Sequence, residues 1–255
     1  MFKSLTAICL AATAMTGVAS AAPLVLDFES LSEGTAITPA NTPGAAAITV
    51  TGANAGTVVA YDTGPGGSNA DLDLEQPIAP APISGPDDVE FTTSDNFSVL
   101  DADDLPADAF SGLGNVGIFQ NNTTMAANDD PSGGILNIAL DGLQIFESID
   151  FIDLNAEESN AVTVTLTLAD MVSTVGFDIS GFDTNGNEPE NFAARVIAGV
   201  DYLVSSIQIQ FRGSGAFDNI TFRDPPEVPI PGAIWLMGAG LAGLRLSARK
   251  KASQA

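Results

Sequence analysis

Thirty-two Asp and Glu side chains and no histidine decide which chemistry is open to this chain of 255 residues. Without histidine there can be no Ser-His-Asp triad, no Cys-His pair and no histidine-ligated zinc. No glycine-rich loop opens a helix, so nothing supports phosphate-cradling nucleotide chemistry. Carboxylates leave two possibilities. Paired acids can hydrolyse a glycoside, but no pair stands out among so many, and the chain is not expected to be an enzyme. Calcium suits the composition better, because it takes about six to eight hard oxygens from Asp, Glu, Asn and backbone carbonyls.

Four clusters offer such oxygens at short spacing: Asp71-x-Asp73-x-Glu75, Asp101-x-Asp103-Asp104, Asn128-Asp129-Asp130 and Asp150-x-x-Asp153-x-Asn155. A solvated acidic turn accounts for each one equally well. Asp183-x-Asn185-x-Asn187 imitates the start of an EF-hand loop, but Glu188 stands where that loop needs glycine and Ala194 where it needs a bidentate Glu. Residues 184–187, with Asn-Gly at their centre, read instead as a hairpin turn.

The elements that must position these groups are strands. In Val162, Val164, Leu166 and Leu168, apolar side chains alternate with Thr163, Thr165 and Thr167, the period of a half-buried strand. Ile207, Ile209 and Phe211 alternate with Gln208, Gln210 and Arg212, and Leu136, Ile138 and Leu140 form a third set. Further strands are predicted over 24–28, 48–51, 57–61, 116–119, 148–154, 175–179, 192–197 and 217–222. These short segments, split by Gly, Pro, Asn and Asp, predict an all-β domain, a two-sheet sandwich. No helix-period segment precedes the C-terminal tail, which argues against an α/β fold. Residues 63–96, 101–115 and 121–134 are long Gly-, Pro- and Asp-rich connections, of the kind that carry function or bound ions.

The two ends differ from this body. Residues 1–21 have the layout of a secretory signal peptide: Lys3, an apolar stretch over 5–18, and Ala19-Ser20-Ala21 as a cleavage site. Cys9, the one cysteine, falls within it, so no disulfide is expected in the exported body. Residues 227–255 contain Val228-Pro229-Ile230-Pro231-Gly232, an apolar run over 233–246, and a basic cluster of Arg245, Arg249, Lys250 and Lys251. The prolines delay helix formation, the apolar run satisfies its backbone in lipid only as a helix, and the basic cluster stops transfer on the cytoplasmic side. Counted from Ile230 to Leu246 the stretch is 17 residues, at the short end of the roughly 17–25 a span requires, and Arg245 can snorkel to extend it.

With Lys3 and the four tail cations set aside, Arg195, Arg212 and Arg223 stand against all 32 acids, which run from Asp27 to Glu227, a net charge of −29 over that stretch where the whole chain has −24. Such a surface excludes nucleic acid and anionic lipid as partners and favours cations or a saline exterior.

The ordered tail resembles the bacterial PEP-CTERM sorting domain, and more closely its VPLPA-CTERM variant, through Val228-Pro229-Ile230-Pro231, Trp235-Leu236, Gly240-Leu241, Gly243-Leu244 and the basic cluster. Ile230 and Gly232 stand where the variant usually has Leu and Ala. The resemblance implies processing by exosortase, a membrane cysteine protease and transpeptidase. It further implies a precursor anchored in the inner membrane, and a mature protein at the cell surface or outside the cell, in contact with extracellular polysaccharide. The body resembles PEP-CTERM ectodomains at Asp27-Phe28-Glu29, at residues 62–67 with Asp71-Leu72, and at residues 213–220. Those ectodomains look like jelly-roll sandwiches similar to carbohydrate-binding modules, many of which hold a structural calcium between an early acid and a late Asp. The resemblance places that calcium at Glu29 and Asp218; among the acidic clusters, Asp71 and Asp73 are a lesser alternative. Sugar modules also present aromatic patches, whereas the one tryptophan here, Trp235, lies in the tail.

The expectation is therefore a signal peptide over 1–21, a jelly-roll-like ectodomain over 22–226 and a sorting tail over 227–255 with one transmembrane helix. Its role is structural or interactive, in a matrix or at a surface. The alternatives are a calcium-dependent carbohydrate-binding module and a glycoside-active enzyme.

Overall fold

The computed structural model of the chain describes residues 22–53, 56–64, 96–100, 113–121, 127, 130–153, 162–179 and 193–226. The sorting motif, the apolar run and the basic cluster lie outside these residues, as do Asp71, Asp73 and residues 184–187. Residues 21–225 form one compact unit.

The fold is all-β. The strands are β1 (Leu24–Leu26), β2 (Ala45–Thr51), β3 (Val58–Asp62), β4 (Phe97–Leu100), β5 (Asn115–Phe119), β6 (Gly134–Ile152), β7 (Val162–Leu168), β8 (Thr174–Ile179), β9 (Ala193–Phe211) and β10 (Ala216–Arg223). One turn of 3-10 helix, Pro39–Asn41, precedes β2. No helix among the described residues is long and apolar enough to cross a membrane. Every strand pairing is antiparallel, in the path β3-β5-β10-β6-β9-β7-β8, with β1 beside β10, β2 beside β6 and β4 beside β9.

β6 and β9 form a ribbon 19 residues long in each strand. At one end Phe211 pairs with Gly134, and at the other Phe151 pairs with Ala194. A straight ribbon would hold Phe151 and Phe211 about 55 Å apart, at about 3.3 Å per residue. Their ring centroids are 5.9 Å apart, so the ribbon is doubled over. Two register breaks let it bend. Between Ala139 and Gln144, β6 carries four residues opposite a single residue of β9; between Tyr202 and Ile197, β9 carries four opposite a single residue of β6. Bulges on the two strands in turn add local twist and bend where a regular ladder would stay straight.

The doubled ribbon makes two layers. The first contains β2, the N-terminal half of β6, the C-terminal half of β9, β7 and β8; the second contains β3, β5, β10 and the other halves of β6 and β9. Alternation aims Val162, Val164, Leu166, Leu136, Ile138, Ile207 and Ile209 of the first layer into the interior, where all are buried. Phe211 of the first layer meets Phe119, Phe151 and Phe217 of the second, and Phe177 meets Phe97. A second apolar cluster covers the outer side of the second layer. There Val59, Tyr61, Val116 and Ile118 alternate with the main-core residues and are buried with Leu113 and Ala127.

Three details of the strand reading change. Residues 136–140 and 148–152 belong to one strand, β6, as do 193–197 and 207–211 in β9. Asp141-Gly142 and Gly199 carry turn residues, but the ladder continues past them. β4 has no counterpart in the sequence reading.

Candidate functional site

The closing strand, β10, brings the acids together. It pairs with β6 along one edge; on the other edge Ala216 and Phe217 pair with β5, and Ile220 to Phe222 with β1. Asp218 lies at the junction between those two partners. Opposite it on β6, in register, stands Asp150, and opposite Asp150 on β9 stands Arg195. Like charges directly opposite one another on adjacent strands repel, so this row needs a cation.

Arg195 supplies one and is hydrogen-bonded to Asp150. Its Nε and Nη2 donate to Asp150 Oδ1 and Oδ2, both at 2.6 Å, a bidentate clamp. Asn219 Nδ2 adds a third hydrogen bond to Asp150 Oδ2 at 3.1 Å. β10 bulges just past Asp218, and Asn219 takes a positive φ of 49°, a conformation Asn tolerates better than most residues. Asp150 is thus fully buried and well satisfied.

Asp218 is not. It is 0 % exposed, and neither carboxylate oxygen has a hydrogen-bond partner. Burial pushes its pKa up to about 8, and the charges of Asp150, Glu29 and Asp27 push the same way. The Asn219 backbone N–H pulls it down without completing a hydrogen bond. Arg195, held by Asp150, is close enough for Asp218 to raise its pKa, but it makes no hydrogen bond to Asp218.

The segment after β1 supplies the neighbouring charges. Leu26 pairs with Ile220, so the chain leaves β1 alongside Asp218. Phe28 is buried with its ring edge-on to Phe217, centroids 5.7 Å apart, and it fixes Asp27 and Glu29 on either side. Glu29 is exposed as a residue, but its carboxyl end rests over Gly114, where a Cβ would collide with Oε2. Desolvation there raises the Glu29 pKa, the Asn115 backbone N–H lowers it, and Asp27 and Asp62 raise it. The Gly114 carbonyl accepts the Thr63 backbone N–H at 2.9 Å and the Thr63 hydroxyl at 3.0 Å, which ties this corner to the end of β3.

The structure therefore brings Glu29 and Asp218 into one acidic neighbourhood with Asp27, Asp62 and Asp150. Of the other candidate clusters, Asp130 and Asp153 are buried. Asp130 Oδ1 accepts the Ser132 N–H at 2.9 Å in a tight turn, and Asp153 has a positive φ of 52°. Among the described residues, no three of Asp, Glu, Cys or His converge as a ready-made metal cage. A cation here would use Asp218 first and draw further oxygens from Glu29 and the backbone. Without a cation, a proton neutralises the buried carboxyl, as its raised pKa implies. Being fully buried, Asp218 cannot reach a polymeric substrate.

Sequence reasoning missed Arg195 as the partner of Asp150. The signal available was scarcity, since three arginines among the 32 acids from Asp27 to Glu227 give a buried acid few cations to pair with. No family model matches the chain, and no curated protein matches it.

Proposed function

We propose that this chain is an exported structural or interaction protein whose jelly-roll-like β domain is completed by a calcium ion held at Asp218. The observation that carries the reading is the pair of buried, unpartnered oxygens on Asp218, set among Glu29, Asp27 and Asp150. Leaving a buried polar group without a partner is costly, and the cost grows when the neighbours are also anions. The donors are all hard oxygens, which suits calcium, and its tolerance of irregular geometry suits a site assembled from two side chains and main-chain carbonyls. Asp218 and Glu29 would hold the ion. Asp150 stays with Arg195, and Asp27 contributes charge. Calcium would then join the start of the domain to its last strand.

Delivery rests on the sequence of the two ends. The layout of residues 1–21 supports export. The proline motif at Val228 to Gly232, the apolar run and the basic cluster support exosortase processing from an inner-membrane precursor, with one transmembrane helix over 233–246.

The test is thermal melting of the full chain, purified in detergent, at constant sodium chloride. Sub-millimolar calcium should raise the melting temperature, because a ligand bound only by the native state stabilises it by mass action. Asp218→Asn should lose most of that rise and Glu29→Gln part of it. An equal rise with magnesium or sodium at matched ionic strength, or a wild-type response from Asp218→Asn, would remove the site.

A further inference from the structure

The two layers treat their outer faces differently. That of the second layer is buried under its own apolar cluster. That of the first is mostly polar and partly exposed, with Ile135 and Ala139 of β6 as its apolar members within the rows described below. Its central row crosses five strands in register: Gly176 on β8, Thr165 on β7, Gln208 on β9, Asn137 on β6 and Thr49 on β2. Thr163 and Gln210 lie in the row on one side, and Thr167 and Ser206 in the row on the other. All of these side chains are partly or fully exposed. They are already ordered, since Gln208 Nε2 donates to Asn137 Oδ1 at 2.7 Å.

On a chain of net charge −24 this face is nearly free of charge. Within those three rows its one carboxylate, Asp178, accepts the Thr163 hydroxyl at 2.5 Å. The chemistry is also self-complementary. Amides and hydroxyls both donate and accept, whereas a carboxylate surface only accepts and cannot pair with its own copy. Two such faces can meet through a two-fold axis, with each patch contacting the same patch on the other copy. The rest of the acidic surface keeps copies apart, and at physiological salt that repulsion is screened beyond about 8 Å.

We infer that the outer face of β2, β6, β9, β7 and β8 is where a second copy of this chain docks, through Gln208, Thr165 and Asn137. This rests on reading the domain as a structural or interaction module. Five strands about 4.8 Å apart and about 20 Å long give roughly 480 Å² per copy, or about 950 Å² in all. That is below the roughly 1,200 Å² at which stable interfaces begin, so the pair is weak. It becomes populated when many chains share one surface, where effective concentration is high.

Sedimentation velocity on the full chain in detergent tests this. The wild type should self-associate reversibly with rising concentration, and more strongly at 0.5 M than at about 0.05 M sodium chloride, as screening grows. Gln208→Glu and Gln208→Lys should each weaken association at least tenfold, while a mixture of the two variants should associate again. Recovery on mixing excludes misfolding as the cause. Association unchanged in both variants, or a wild type that stays monomeric at high salt and concentration, overturns the proposal. So does a monomeric wild type retained on insoluble glucan and released by Gln208→Glu, because the occupant is then a polysaccharide. Gln208→Glu should keep the full calcium-dependent rise in melting temperature, so failure here is distinguishable from failure of the calcium site.

Discussion

Asp150 and Asp218 are the same residue type, equally buried and opposite one another, yet their hydrogen-bond surroundings differ. Asp150 accepts three hydrogen bonds, two of them from a guanidinium. Asp218 accepts none and keeps its proton up to about pH 8, where an ordinary aspartate loses it near 3.8. The native state therefore binds more protons than the unfolded one between those values, and stability falls as pH rises through them. In the absence of calcium, the melting temperature should drop between pH 5 and pH 8. In Asp218→Asn the drop should shrink to the smaller contribution of Glu29, whose raised pKa acts in the same direction. A pH profile of melting by circular dichroism checks both. Arg195→Ala should cost about 3–5 kcal/mol in chemical denaturation, since it strands a buried carboxylate. Arg195→Lys should recover only part of that loss, because an ammonium cannot form the bidentate clamp. The acids at this site were visible in the sequence one by one. Their pairing was not, since it depends on the register of three strands whose residues 150, 195 and 218 are far apart along the chain.

The strands read most easily where one face is buried and the other open. β7 shows this, with Val162, Val164 and Leu166 fully buried and the threonines between them half-buried. Val164→Asp should abolish cooperative unfolding, because it buries an unpaired charge. Thr165→Asp should shift stability by no more than about 1 kcal/mol. Comparable damage from both would contradict the observed facing. The long strands read poorly for a physical reason. Asp141, Gly142 and Gly199 have the local chemistry of turns and lie in the two breaks of the β6–β9 ladder; there β2 and β4 carry the strands on, with Leu140 opposite Ala45 and Ala198 opposite Phe97, and the Asp141 and Gly199 N–H groups donating to the Gly44 and Asn96 carbonyls. β4 has four residues and is legible only through its pairing with β9. Phe211 marks where the two layers meet, since its ring packs on three others from the second layer. Phe211→Ala should cost about 3–5 kcal/mol, measured by the denaturation midpoint.

At the scale of the whole chain, the tail prediction is independent of the domain. Replacing Pro229 and Pro231 with Ala should leave export intact and block maturation, so that full-length precursor accumulates in the inner membrane. Normal processing of the double variant, followed by immunoblot of cell fractions, would count against the sorting assignment. The position of β10 has a consequence in time. It is the last of the described strands, yet it lies inside the second layer, flanked by β5 and β1 on one edge and by β6 on the other. Its partners in β1 are Leu24 to Leu26, nearly the full length of the domain away. A chain emerging from its N-terminus first cannot close that layer until residues 216–223 arrive, and pairings so distant in sequence form slowly. A chain ending at residue 215 should therefore remain open to protease, while one ending at residue 226 resists it. On the export proposed above, folding would mark its completion, leaving the polypeptide threadable until almost all of the domain has crossed.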